Sequence, residues 1–101
     1  MPENRYTVTV AKDLEDLIPV FIRNRQKEVE SLRAALNAAD FEQLRLLGHR
    51  MKGVGSSYGF MHVSAIGKQI EEGARSADRS TIEGCIADYA TYLRKITIVY
   101  E

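Results

Sequence analysis

Helical periodicity is the property that most restricts this chain. From Leu14 the apolar residues fall at Leu14, Leu17, Ile18, Phe21, Ile22, Val29, Leu32 and Leu36, with one polar gap at Arg25 and Gln26. That spacing is the stripe of an amphipathic helix. Pro19 lacks an amide hydrogen and disfavours helical geometry in the residue before it. The stretch therefore divides into a short first helix over about 13–18 and a long one over 19–38, with a single kinked helix as the alternative. Asp40 followed by Gln43 has the form of an N-cap with its partner three residues on, and Phe41, Leu44, Leu47, Met51, Val54 and Tyr58 resume the period over 41–58. After a break at Gly59, Val63, Ile66, Ile70 and Ala74 mark the next helix. Ser80 with Glu83 reads as the capping box of the last, which carries Ile82, Ile86, Tyr89, Leu93 and Ile96. Its end, 96–100, continues the helical stripe, although its β-branched residues offer a strand paired with 7–10 as the alternative. The joints are only a few residues long, so neighbouring helices run antiparallel. The expected fold is all-α: an up-and-down antiparallel four-helix bundle with a short additional N-terminal helix, in one domain over 1–101.

Composition narrows the function. At 101 residues the chain is too short for a substrate domain beside a cofactor domain. Fourteen Lys and Arg against fourteen Asp and Glu leave no net charge to hold a polyphosphate backbone, so nucleic acid is not an expected partner. The longest apolar run, 17–22 counting Pro19, is far below the roughly 20 residues of a membrane span. A single cysteine, Cys85, and an opening without the layout of a leader suggest the cytoplasm. His62 lies beyond the spacing at which one helix presents two ligands with His49, and no Cys or acidic cluster completes a set, so no metal site is expected. A nucleotide site would need a glycine-rich loop joined to a strand; Gly53 to Gly59 has neither the strand nor the GxxxxGK[ST] pattern.

The local rules of helix formation fail at one place. All seven glycines follow Leu47, and Gly48, Gly53, Gly55 and Gly59 lie within or at the end of 41–58. Each interior glycine costs about 1 kcal/mol relative to alanine, so this segment forgoes on the order of 3 kcal/mol of helix propensity. Such repetition marks close packing or a functional surface. On a helical wheel the apolar residues of the segment occupy a sector of about 140°, and His49 stands about 155° from its centre. Gly53 and Ser56 lie within roughly 40° of His49 and Lys52 about 60° to one side, so the imidazole faces solvent with little beside it. An ordinary solvated histidine would leave the glycines without a cause. A largely neutral imidazole beside a fixed ammonium suits nucleophilic capture of an anion, with a phosphoryl group the natural candidate.

The segment His49-Arg50-Met51-Lys52-Gly53-Val54-Gly55-Ser56-Ser57-Tyr58-Gly59 resembles the motif of the histidine-containing phosphotransfer (HPt) domains: His, Lys-Gly at +3 and +4, small residues at +6 to +8 and Gly at +10. Leu32 to Leu36 with Asp40 before it, and Ile70-Glu71 and Arg75 after it, are similar to the family's flanks, so the resemblance covers about 14–95. It implies a helical phosphocarrier without kinase activity, whose histidine accepts phosphate from a receiver-domain aspartyl phosphate and passes it to another receiver. By that resemblance His49 is the phosphorylated residue, Lys52 the cation for the phosphoryl oxygens and Gly53 the residue that leaves the ring accessible. Glu71 falls where relatives often carry a polar group that contacts the imidazole. A carboxylate there would accept from Nδ1–H and leave Nε2 as nucleophile; an ordinary surface Glu beside Lys68 and Arg75 is the other reading.

Arg45 and Arg50 flank the His49 side, either as solvated charges or to steer an acidic receiver pocket, and Ser56 and Gly53 complete the expected partner surface. Expected partners are response-regulator receiver domains and a hybrid sensor histidine kinase, with the chain acting as a monomer. No cofactor is expected in the chain itself, Mg²⁺ being supplied by the receiver, since no acidic triplet for it is evident. The contrasting function is a non-catalytic helical module that docks a partner through the His49 face.

Overall fold

In the computed structural model the described residues are 6–101. The opening 1–5, part of the stretch read for a leader, lies outside them. Four helices follow one another: α1 (Ile18–Asn37), α2 (Phe41–Tyr58), α3 (Met61–Arg75) and α4 (Arg79–Lys95). Each packs on the next and α4 returns to α1, which closes the all-α bundle. Its core is built from the expected stripes, with Leu32, Leu44, Met51, Ile70, Ile82 and Tyr89 all fully enclosed. Phe21, Tyr58 and Phe60 join it as a ring cluster, with centroids 4.6 Å apart from Phe21 to each of the other two.

The three joints share one solution. The backbone takes a single left-handed residue, Ala39 (φ 53°), Gly59 (φ 82°) or Ala77 (φ 52°). The next amide then reaches back to the preceding helix: Asp40 N–H to Ala35 O, Phe60 N–H to Gly55 O and Asp78 N–H to Gly73 O, each 2.8 Å. These bonds satisfy carbonyls that the helix end leaves unpaired. The aspartates then cap the following helices. Asp40 accepts from the Gln43 amide, as its spacing indicates, at 3.1 Å. Asp78 accepts from the Thr81 amide at 3.2 Å and the Thr81 hydroxyl at 2.7 Å. It thereby displaces the expected Ser80–Glu83 box, because a carboxylate one residue before the helix is the stronger acceptor for its orphan donors.

Both ends of the chain depart from expectation. The short N-terminal helix over 13–18 does not form; a 3-10 turn, Lys12–Leu14, stands there, and α1 starts at Ile18. Pro19 sits in the first turn of α1, where its missing N–H has no helical partner to lose, so it starts the helix rather than kinking it. At the other end α4 stops at Lys95, and β2 (Thr97–Tyr100) pairs in parallel with β1 (Thr7–Val10), Thr7 opposite Thr97 and Val10 opposite Tyr100. The alternative reading of 96–100 is the right one: β-branched side chains fit an extended ribbon, and burying Val8 and Val10 completes the end of the core. The whole bundle serves as the crossover that a parallel pair requires.

One polar cluster fastens α1 to α4. The Tyr89 hydroxyl donates to Glu28 Oε1 at 2.7 Å inside the core, and Arg25 Nε lies 3.0 Å from the same oxygen while its guanidinium covers the Phe21 ring. Arg25, which falls in the polar gap of the α1 stripe, is therefore mostly enclosed. Burial and the neighbouring Glu28 carboxylate together hold Tyr89 protonated.

Candidate functional site

The site is built where α2 and α3 come closest. Three glycines permit the approach: a Cβ on Gly48 would stand 2.7 Å from both Glu71 N and Gly67 O, one on Gly67 would stand 2.7 Å from Gly48 O and Lys52 N, and one on Gly55 would stand 2.6 Å from Ser64 N. These are backbone atoms, which cannot rotate aside. The contacts also fix the chemistry, because Gly48 precedes His49 and touches the backbone of Glu71, while Gly67 touches that of Lys52.

With the backbones in this register, Glu71 Oε2 lies 3.1 Å from His49 Nδ1 and Oε1 lies 2.9 Å from Lys52 Nζ. Arg75, one turn further along α3, donates to Oε2 at 3.2 Å. The Glu71 side chain is only 4% exposed, whereas the His49 ring is 64% exposed. A buried carboxylate thus braces the inner edge of a solvent-facing imidazole, and no described residue engages Nε2. The Lys52 ammonium, followed by the His49 hydrogen bond and the charge of Arg75, holds the Glu71 carboxyl below its usual range despite burial. Such a carboxylate, with all its partners in place, is one that a protein interior tolerates. One carboxylate against the cations of Lys52 and Arg75 leaves the surroundings of the ring net positive, which favours an incoming anion.

The structure therefore brings together His49, Lys52 and Glu71, and places Gly53 at the mouth of the site: a Cβ there would meet nothing within 4 Å. Glu71 is not a surface residue paired with Lys68; it is the buried centre of the group. The Lys52 ammonium rests on Glu71 rather than standing free beside the ring. Ser56 is exposed as a residue, but its hydroxyl turns inward to Ser64 at 3.1 Å. Arg45 is held by Glu42 through paired contacts of 2.6 and 3.1 Å, while Arg50 is exposed on the residue after His49. Arg75, to which the sequence assigns no role at the site, joins it through Glu71. Its position four residues after Glu71, the spacing of a helical ion pair, was the available signal.

The remaining candidates lie elsewhere. His62 sits in the first turn of α3, its ring 4.6 Å from that of Tyr92 and its Nε2 3.4 Å from Asp88 Oδ2. Burial pushes the Cys85 thiol up, away from the reactive thiolate form, with Asp88 and Asp78 adding to the effect. Among the described residues no helix is long and apolar enough to cross a membrane.

In comparisons with known proteins, the model of one family, described as the Hpt domain, matches residues 11–96, nearly the whole chain. No curated protein and no solved structure matches it.

Proposed function

The chain belongs to the Hpt domain family, phosphocarrier modules of histidine phosphotransfer in phosphorelay signalling, and on that premise we propose that His49 is its phosphoryl acceptor, taking the group from a receiver-domain aspartyl phosphate and passing it to another receiver aspartate. The observation that carries this reading is the asymmetry of the imidazole: Nδ1 is held by buried Glu71, and Nε2 is unengaged on an exposed ring.

Glu71 accepting from Nδ1–H selects the tautomer with the lone pair on Nε2. In transfer, that lone pair forms the N–P bond as the P–O bond to the bridging carboxyl oxygen of the aspartyl phosphate breaks, and the receiver's carboxylate leaves with the bonding electrons. The Nδ1 proton stays on the ring, so the phosphorylated imidazole carries positive charge against Glu71. Lys52 and Arg75, both on long mobile stems, exchange part of their contact with Glu71 for the equatorial phosphoryl oxygens. Gly53 leaves the in-line approach clear, and a receiver's phosphate must come within about 3 to 3.5 Å of Nε2. Arg50 and, once released from Glu42, Arg45 present positive charge to the acidic pocket of a receiver, which is also where the Mg²⁺ of the reaction is expected. An upstream hybrid sensor histidine kinase would charge the first receiver. We place the reaction in the cytoplasm, with a monomer as the working form.

The test is incubation with a phosphorylated receiver domain. Wild type should acquire an acid-labile, alkali-stable label, and His49→Gln should lose it while keeping its helical circular dichroism, since the side chain is exposed. A stable complex with the receiver and no label would instead indicate a docking module.

A further inference from the structure

Ser64 is buried in α3 and lies outside the His49, Lys52, Glu71 and Arg75 group. Its hydroxyl donates to the Lys52 carbonyl oxygen at 2.9 Å. A carbonyl only accepts, so the Ser64 proton is committed there. The Ser56 hydroxyl is 3.1 Å from the same Ser64 oxygen, and the proton between those two is therefore Ser56's. The order of donation runs from Ser56 to Ser64 to the Lys52 carbonyl. Ser56 consequently offers only lone pairs to solvent and could donate to a phosphoryl oxygen only by giving up its bond to Ser64.

This bond grips the turn of α2 that is least restrained by its own side chains. A Cβ on Gly53 would meet nothing, and Gly55, without a side chain, has only backbone contacts with Ser64 and Phe60. Glycine backbones move more freely than others, yet Lys52, whose ammonium must serve both Glu71 and the phosphoryl group, is carried on this turn. We propose that Ser64 is a positioning residue for phosphoryl transfer: its hydrogen bond to the Lys52 carbonyl fixes the glycine-flanked turn so that the Lys52 ammonium stays in register with Glu71 and His49. The proposal rests on His49 being the acceptor.

The measurement is the initial rate of label transfer to the full chain as a function of the concentration of a receiver domain charged with acetyl phosphate. The proteins compared are wild type, Ser64→Ala, Lys52→Ala and the double variant Ser64→Ala with Lys52→Ala. Ser64→Ala should lower the maximal rate by about three- to tenfold, as small displacements of a catalytic group do, with KM for the receiver unchanged because the hydroxyl is buried. In the Lys52→Ala background, Ser64→Ala should cause no further loss, since it acts through the residue already removed. If Ser64→Ala unfolds below the assay temperature, Ser64→Cys, with a weak donor of similar size, is read by the same criteria. A wild-type rate in the Ser64 variant, an equal loss in both backgrounds, or a loss confined to KM would each overturn the positioning role. A wild type that takes no label would overturn the His49 reading as well, so the two failures are distinguishable.

Discussion

The inner and outer faces of α2 use the same residue for opposite ends. On the inner face Gly48 and Gly55, with Gly67 opposite, bring two backbones so close that a single methyl would meet main-chain atoms at under 3 Å. On the outer face a Cβ on Gly53 would meet nothing within 4 Å. A glycine inside a helix is unfavourable in both places by about 1 kcal/mol. The inner ones are compensated by helix packing, whereas the outer one has no such return, in keeping with the access role proposed for it. Lost helix propensity does not by itself locate a functional site, nor does the lack of a packing contact, since Gly84 within α4 is equally open; what singles out Gly53 is its place one turn from His49.

The inner face should be the more sensitive. Gly48→Ala or Gly67→Ala is expected to destabilise the fold by about 3 kcal/mol, at the upper end of overpacking effects, because the clashing atoms are backbone. Denaturant unfolding checks this, and a near-neutral result would break the distinction between the faces. On the outer face, Gly53→Gln should slow receiver-dependent transfer at least about tenfold by crowding the approach to Nε2, with the melting temperature little changed. Gly53→Ala should stabilise the helix by up to about 1 kcal/mol. Activity and stability measured on the same Gly53→Gln protein sharpen the comparison, and an unimpaired rate would remove the access role.

The smallest effect expected is one of pH. Glu71 in the fold is held below its ordinary value of 4.5, chiefly by Lys52. The unfolded chain therefore takes up this proton first as the solution is acidified, so the stabilisation is complete above that value and is lost as pH falls through it towards the folded-state value. Glu42 and Asp78 are lowered too, through Arg45 and Thr81, and act in the same direction. Glu71→Gln should accordingly flatten part of the acid side of the melting-temperature profile, without abolishing it.

What could be read in advance was what the chain encodes locally. The limits of α2 follow from an aspartate cap and a left-handed glycine, both written within a few residues of the ends. His49, Lys52 and Gly53 fall within two helical turns, so one wheel relates them. The terminal ribbon was open to two readings because Ile96 fits a helical stripe and a strand alike, and its partner lies at the far end of the chain. Arg25 enters the interior only because Glu28 and Tyr89 are there to receive it, and those residues come from two helices. The closeness of Gly48 to Gly67 and the grip of Ser64 on Lys52 are likewise properties of a helix pair, which periodicity within each helix cannot express.

The most direct test of the account is nitrogen-15 NMR of the imidazole in the phosphorylated full chain, which identifies the nitrogen that bears phosphorus. The prediction is a single phosphohistidine at His49 with phosphorus on Nε2 and a proton retained on Nδ1, and no such signal from His49→Gln. Phosphorus on Nδ1, the atom that Glu71 holds, or on His62 would contradict it.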